Sequence, residues 1–337
     1  MTQGSPKLVA IVVTYNRLPQ LQRSVAALAA SAPTVLHKII VIDNASTDGT
    51  DAWLDSLDEP RLHVERLAQN LGGAGGFAHG MRRARALFDP DWIVVMDDDA
   101  RPEADALATF RAMVDRGELA AVEGVAGAVR HPDGVICRMN RPTVNPFWHA
   151  GVFLRTLAGG GRAAFHLGDA AFGQPHPMPI DGASFVGLFL SRKALDRAGY
   201  PDASLFLYAE DAIYTLTLSR RGGRLIFAPA IRFEHDTTSL AAGEVVRPLW
   251  KVYYYHRNRL LLYRLAAGPA FWLLLPLWLF SWPRLARHYP VDERPAFRRL
   301  IRRAFRDAIL RDTSLSHADV MQLATVASPQ GQTAPGQ

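Results

Sequence analysis

The sequence has a single cysteine, Cys137, among 337 residues. An intramolecular disulfide is therefore impossible, and a single cysteine argues against a cysteine-built zinc site. One cysteine fits a reducing compartment. Met1 to Lys7 has no basic stretch followed by an apolar one, so no secretory signal is expected. The charge-free stretch 265–280, LAAGPAFWLLLPLWLF, has 16 residues and two prolines, short of the roughly 20 that a helical membrane span needs. Glycine (26) and proline (22) are at ordinary levels, which argues against a mainly disordered chain. The length allows a full core and about two domains.

Positive charge is confined. Between Arg284 and Arg311 lie nine arginines against Asp292, Glu293 and Asp307, so this segment alone carries the chain's net +6. The motifs upstream are acidic, which argues against nucleic acid as a partner. From Phe297 to Ile309, apolar residues recur at helical spacing with Arg298, Arg299, Arg302, Arg303 and Arg306 on the other face. Beside a run with Trp272, Trp278 and Trp282, this helix suits an anionic membrane surface. The competing reading is a core-packing helix with solvated arginines.

Apolar β-branched runs at 8–14, 38–44, 62–67 and 92–100 read as buried strands, with helices expected over 18–30, 50–57 and 77–87. This alternation predicts an α/β fold with a parallel sheet, ligands lying at the carboxyl ends of its strands. Further strands are expected at 120–129 and 184–191, a helix over 209–221, and two short strands within 224–236, broken at Pro229. Residues 328–337 are polar and expected to be disordered.

Asp97, Asp98 and Asp99 end the fourth strand. Adjacent carboxylates repel, and burying them uncompensated is expensive. As hard oxygen ligands they suit Mn2+ or Mg2+, with phosphate oxygens and water completing the shell. A solvated acidic turn is the alternative, and the position at a buried strand end favours metal and diphosphate. Asp43, ending the second strand, offers an acceptor to a base N–H or a ribose hydroxyl, or else caps a helix. NLGGAGGF (70–77) reads as a glycine nest, in which Asn70, Gly72, Gly73, Gly75 and Gly76 let backbone approach a ligand. Residues 73–78 also fit a loose G-x-G-x-x-[GA] string, the basis of a rival reading as a nicotinamide-dependent oxidoreductase. That fold places the string after the first strand, where this chain has Tyr15-Asn16-Arg17. Glu210-Asp211 opens a helix, as a general base or simply a dipole-favoured acid. His235 is a metal ligand or a structural histidine.

In order, VTYNR (13–17), VIDNASTDGT (41–50), NLGGAGGF (70–77), MDDDA (96–100), DGASFVGLFLSR (181–192), YAED (208–211) and EH (234–235) resemble the inverting glycosyltransferases of family two. The resemblance covers about two-thirds of the chain, from Val9 to His235. It implies a GT-A-type mixed, mainly parallel sheet flanked by helices over residues 1–240, followed by a helical membrane-associating region at 241–327. It also implies a nucleotide-diphosphate sugar donor, with Thr14, Tyr15, Arg17 and Asp43 lining the nucleotide site. Asp97 to Asp99 would hold Mn2+ or Mg2+ and the diphosphate, with His235 as a further ligand. Asp211 would be the catalytic base and Glu210 its alternate. Among relatives, the motifs look most similar to bacterial galactofuranosyltransferases using UDP-galactofuranose, with rhamnosyltransferases using dTDP-rhamnose close behind. The galactofuranosyl branch usually carries Asp-Asp where this chain has Glu210-Asp211. Such enzymes extend lipid-linked or cell-envelope glycans, which places this chain peripherally on the cytoplasmic face of the inner membrane. A catalytically inactive nucleotide-binding protein is the remaining alternative, disfavoured by the intact acids.

Overall fold

The computed structural model describes residues 6–237 and 245–326. The boundary expected at 240–241 and the tail 328–337 lie outside the described residues. Two compact units divide the chain: Met1–Phe206 with Glu210–Ser239, and Leu207–Ala209 with Leu240–Gln337.

The first unit is built on a nine-stranded sheet. Its amino-terminal half alternates strand and helix: β1 (Leu8–Thr14), α1 (Leu18–Ala29), β2 (Lys38–Asp43), α2 (Thr50–Asp55), β3 (Leu62–Arg66), α3 (Gly72–Phe88) and β4 (Trp92–Asp97). β1 is buried along its whole length, as expected of a strand covered on both faces. β1 pairs in parallel with β2 and β4, and β2 with β3. The register sets Thr14 beside Asp43 and Val13 beside Asp97, so the acids of two strands emerge at the same end of the sheet.

The carboxyl-terminal half mixes directions. It contributes β5 (Ala100–Pro102), β6 (Gly124–Arg130), β7 (Met178–Ile180), β8 (Leu188–Ser191) and β9 (Leu225–His235), with α4 (Ala106–Asp115), α5 (Ala150–Arg155), α6 (Arg192–Ala198) and α7 (Glu210–Arg220). β8 lies antiparallel between β4 and β6. β9 runs parallel to β6 and antiparallel to β5 and β7. The fold is thus a mixed α/β sheet flanked by helices, of the GT-A type.

Three elements differ from the sequence expectation. The run 92–100 is two strands, because Asp98 and Asp99 turn away from the ladder to reach side-chain partners described below. The run 224–236 forms one strand, not two. Pro229 sits where the β6–β9 register shifts between Gly127 and Ala128, a bulge in which its missing N–H costs no ladder bond. The third helix begins at Gly72 rather than at 77. A Cβ on Gly76 would lie 2.5 Å from Val13, and one on Gly80 2.6 Å from Ile11, so these glycines let α3 lie tightly on the sheet.

The second unit is helical: α8 (Lys251–Ala267), α9 (Phe271–Ser281), α10 (Arg294–Leu310) and α11 (His317–Leu323). The amphipathic pattern is real, but its apolar face is not free for a membrane. Phe297, Leu300, Ile301, Ala304, Phe305 and Ala308 are buried in α10, which packs on α8. Burying each large side chain is worth about 1.5–3 kcal/mol, which outweighs exposing that stripe. The exposed apolar surface belongs to α9 instead, with Leu273 82%, Leu277 63% and Phe280 69% accessible. Lys251–His288 is long and apolar enough to cross a membrane by length and composition alone. Its most apolar helix, α9, has 11 residues, or about 16 Å of axis against a hydrocarbon thickness of about 30 Å.

Candidate active site

The turn after β4 gathers the acids. Asp98 is buried at 4% exposure and accepts from the Thr14 hydroxyl at 2.8 Å. Ser24 Oγ donates to the Asp98 carbonyl at 2.6 Å, fixing the turn. Asp99, equally buried, accepts from Arg17 Nη1 at 2.6 Å. Its backbone carbonyl accepts from the Asp236 N–H, and Ala100 pairs with His235 in the β5–β9 ladder. β9 thereby delivers His235 to the acidic turn. Ligand atoms of Asp97, Asp99 and His235 all lie within 4.8 Å of one another.

The protonation of His235 follows from its partners. Nδ1 is 2.8 Å from Asn140 Oδ1, which can only accept, so Nδ1 carries a hydrogen. Asn140 Nδ2 in turn donates to Ser184 Oγ at 2.8 Å. Nε2 then faces Asp99 Oδ1 at 3.0 Å. Two lone pairs at that distance repel, so the pair needs a shared proton or a cation between them. Burial lowers the His235 pKa, but the hydrogen bond to Asp99, the Cys137 contact and the charges of Asp99 and Asp97 push it up to about 10. Burial and the Asp99 charge push Asp97 up to about 7. Burial takes Asp98 to about 6 against the pull of Arg17 and Thr14. Burial also raises Asp99, but hydrogen bonds from His235 and Arg17 outweigh it and hold Asp99 below the usual range. Two carboxylates and an imidazole with a directed Nε2 are a donor set that fits Mn2+ or Mg2+.

Glu210 and Asp211 open α7, after a segment in which Phe206, Tyr208 and Ala209 all have positive φ. Such strain persists only where the surroundings impose it. Within the second unit, buried Asn258 of α8 donates to the carbonyls of Leu207 and Tyr208 at 2.8 and 2.9 Å. Glu210 Oε2 is buried without a hydrogen-bond partner among the described residues. Burial and the neighbouring charges of Asp211 and Asp97 raise Glu210 well above its ordinary value. Burial also raises Asp211, but its Oδ1 accepts from the Ala212 N–H at 2.6 Å, which favours the ionised form. The mutual effect of Asp97 and this pair puts them in one electrostatic environment.

The loops after β1 and β2 are strapped together. Asn16, at φ 52°, accepts from Thr47 N, while Ser46 and Asp48 accept from the amides of Asn16 and Leu18. Asp43 accepts from Ser46 N at 2.9 Å, a local turn bond that uses one of its oxygens. Tyr15, next to Asn16 in the chain, is 45% exposed. Asn44 donates to the Gly72 carbonyl and accepts from Leu71 N, and Asn70 accepts from Gly72 N. Gly72 has φ +69°, and a Cβ there would meet the Phe206 carbonyl at 2.0 Å. A Cβ on Gly73 would lie 3.0 Å from Glu210 Oε1, and one on Gly75 2.4 Å from Leu71 Cβ. The glycine segment therefore serves close backbone packing against β1 and the strained loop, in addition to any ligand. Sequence reasoning missed Asn140, Ser24, Asn44 and Asn258. Asn44 lies inside the quoted motif VIDNASTDGT (41–50); Asn140 and Asn258 carry no periodic or spacing signal.

Comparison with known proteins agrees with this architecture. Residues 9–157 match the family model "Glycosyl transferase family 2". Galactofuranosyltransferase GlfT1 of Mycolicibacterium smegmatis is 28% identical over 215 residues, covering 63% of this chain and 65% of that protein, so the match spans just under two thirds of the relative's length. Among solved structures, S. aureus TarS 1-349 in complex with UDP superimposes with a TM-score of 0.54 at 15% identity, over 94% of this chain and 90% of that one. The mannosyltransferase PcManGT from Pyrobaculum calidifontis, in complex with GDP-Man and Mn2+, gives a TM-score of 0.51 at 17% identity, over 92% and 87%. Residues 9–157 thus match a glycosyl transferase family 2 domain, and the fold is GT-A-like.

Proposed function

We propose that the protein is a metal-dependent, inverting glycosyltransferase. It moves galactofuranose from UDP-galactofuranose to a hydroxyl of a lipid-linked or cell-envelope glycan. The observation that carries this is the convergence of Asp97, Asp99 and His235 within 4.8 Å, beside Glu210 and Asp211, in a family 2 domain. The similarity to GlfT1 supports the sugar, and the PcManGT complex with GDP-Man and Mn2+ supports the donor class and the metal. The exposed apolar face of α9 supports a peripheral seat on the cytoplasmic membrane face.

In this reading Thr14, Tyr15, Arg17 and Asp43 line the nucleotide, with the Asn70–Gly76 segment against the donor. Asp97, Asp99 and His235 would hold Mn2+ or Mg2+, with Asp98 completing the diphosphate wall. The cation, when bound, supplies Lewis-acid stabilisation of the departing diphosphate. Asn140 keeps His235 Nδ1 protonated, which directs the Nε2 lone pair inward. Asp211 takes the acceptor hydroxyl proton as the new O–C1 bond forms and the C1–O bond to phosphate breaks, the electron pair leaving with the nucleoside diphosphate. Attack opposite the leaving group inverts C1 without a covalent enzyme intermediate. Glu210, whose pKa burial and the Asp211 and Asp97 charges raise well above its ordinary value, is disfavoured as a second charge beside the base.

A donor screen with Mn2+ tests this, comparing UDP-galactofuranose, UDP-hexopyranoses and dTDP-rhamnose. Transfer from UDP-galactofuranose with inverted anomeric configuration is expected. Transfer only from dTDP-rhamnose refutes the sugar, and saturable NADH binding without UDP binding refutes the enzyme class.

A further inference from the structure

The second unit has an arginine-lined cavity of about 470 Å³, bounded by Pro283, Arg284, Ala286, Arg287, Arg294 and Arg298. No carboxylate lines it, and among the described residues none of its four arginines forms an ion pair with an acid. Their hydrogen bonds go elsewhere. Arg284 Nη1 donates to the Phe280 carbonyl at 2.9 Å, Arg287 Nε to His288 Nε2, and Arg294 to the carbonyls of Tyr289 and Arg287. Four arginines bordering one open depression, walled largely by their aliphatic stems, bring four positive charges close together, which a fold gains nothing from by itself.

The cavity continues the exposed apolar stripe of α9. Leu273, Leu277 and Phe280 stand at i, i+4 and i+7 on α9, and Arg284 lies in the 3-10 turn that follows it. The Arg284 bond to Phe280 fixes this junction. An apolar stripe about 10 Å long, ending in clustered guanidiniums, matches the boundary between acyl chains and phosphates. Guanidiniums also bind phosphate oxygens in bidentate fashion, and four suit a group with more than one charge better than a singly charged phosphodiester.

We propose that this cavity seats the terminal phosphate of a membrane lipid, a phosphomonoester or diphosphate headgroup, while Leu273, Leu277 and Phe280 enter the acyl layer. This rests on the membrane-surface part of the proposed function.

The full chain is tested by flotation with vesicles of phosphatidylcholine alone, or with phosphatidylglycerol or phosphatidic acid at matched surface charge. Wild type is expected to prefer phosphatidic acid vesicles. In Arg284→Gln/Arg298→Gln binding to phosphatidic acid vesicles falls on the order of 10–30-fold, from about fivefold per arginine, and the preference over phosphatidylglycerol is lost. Leu273→Glu/Phe280→Glu is expected to lose all vesicles, with circular dichroism checking the fold of both variants. Equal binding to the two anionic vesicles, or an unchanged preference in the arginine variant, overturns the cavity while leaving membrane binding intact. Binding to no vesicle overturns the membrane reading itself. Inorganic phosphate that binds the free protein as tightly as phosphatidic acid vesicles do, and is lost in the arginine variant, overturns the lipid as the source.

Discussion

Replacing Asn140 with leucine separates a metal-bound His235 from a merely structural one. Asn140 Oδ1 accepts the buried His235 Nδ1 hydrogen at 2.8 Å, and among the described residues the other polar neighbour of Nδ1 is Cys137 Sγ at 3.9 Å, a weak acceptor. Leucine removes the acceptor at nearly the same volume. The histidine then keeps an orphaned N–H, at about 1–3 kcal/mol, or shifts its hydrogen to Nε2, which satisfies Asp99 and abolishes the inward lone pair. Either route penalises a cation at Nε2. Loss of a ligand's supporting partner typically weakens metal binding 10–100-fold, about 1.4–2.7 kcal/mol, the same size as the orphaned donor. Manganese titration followed by the free-ion EPR signal, with UDP present, reads this without turnover. Asn140→Leu is expected to raise the manganese Kd 10–100-fold, while Asn140→Asp, which keeps an acceptor, stays near wild type. An unchanged Kd combined with a lower melting temperature refutes the reasoning and makes His235 a structural residue.

Three further outcomes are expected. Asp211→Asn removes the proton acceptor, and kcat should fall about 100- to 10,000-fold with the donor KM nearly unchanged; an equal loss of donor affinity would show that Asp211 binds rather than deprotonates. Glu65 is partly buried, which raises its pKa, but bonds from His63, Arg83 and His79 win and take it down to about 2. Its folded pKa is depressed from 4.5, so its contribution is fully present above pH 4.5 and lost as pH falls towards 2; the stability gap between wild type and Glu65→Gln in acid melts should close over that window. Gly72→Ala must adopt φ +69° and push a methyl into the Phe206 carbonyl, so it should cost at least the 1–2 kcal/mol of a left-handed residue in denaturant melts. Unaltered stability there would mean the loop relaxes freely.

The parts of this molecule written in local pattern were legible, and the parts set by distant partners were not. The β1, β2 and β4 runs are apolar throughout because helices cover both faces, and that signal needs no tertiary knowledge. The acid motifs were visible as types of residue, yet their meeting depends on β9 pairing with β5 across more than a hundred residues. Asn140 and Asn258 act through single hydrogen bonds from irregular or helical positions and leave no period to read. α10 shows the reverse failure. Its stripe was read correctly, but a stripe does not say what covers it, and α8 does. Short apolar α9 had no clean period, and its exposed face emerges only from packing.

The charge arrangement of the site argues that it is kept for function rather than for stability. Asp97, Asp98, Asp99, Glu210 and Asp211 crowd near two cationic groups, Arg17 and His235. The consequence is visible in Asp97 at about 7 and in a Glu210 raised well above its ordinary value, both carried by burial and neighbouring charge. A buried ion pair serves stability poorly when apolar groups of similar volume would do as well, and an unbalanced cluster serves it worse. Strong perturbation by burial and like charge is instead the mark of a site awaiting positive charge. The imbalance has the sign that a divalent cation relieves, and Arg17, half exposed at 52% of its side chain, already supplies one fixed positive group at its rim. Deleting Asp97 should therefore make the fold more stable as the site becomes less competent, whereas deleting Asp99 would leave Arg17 and His235 without their partner and cost stability.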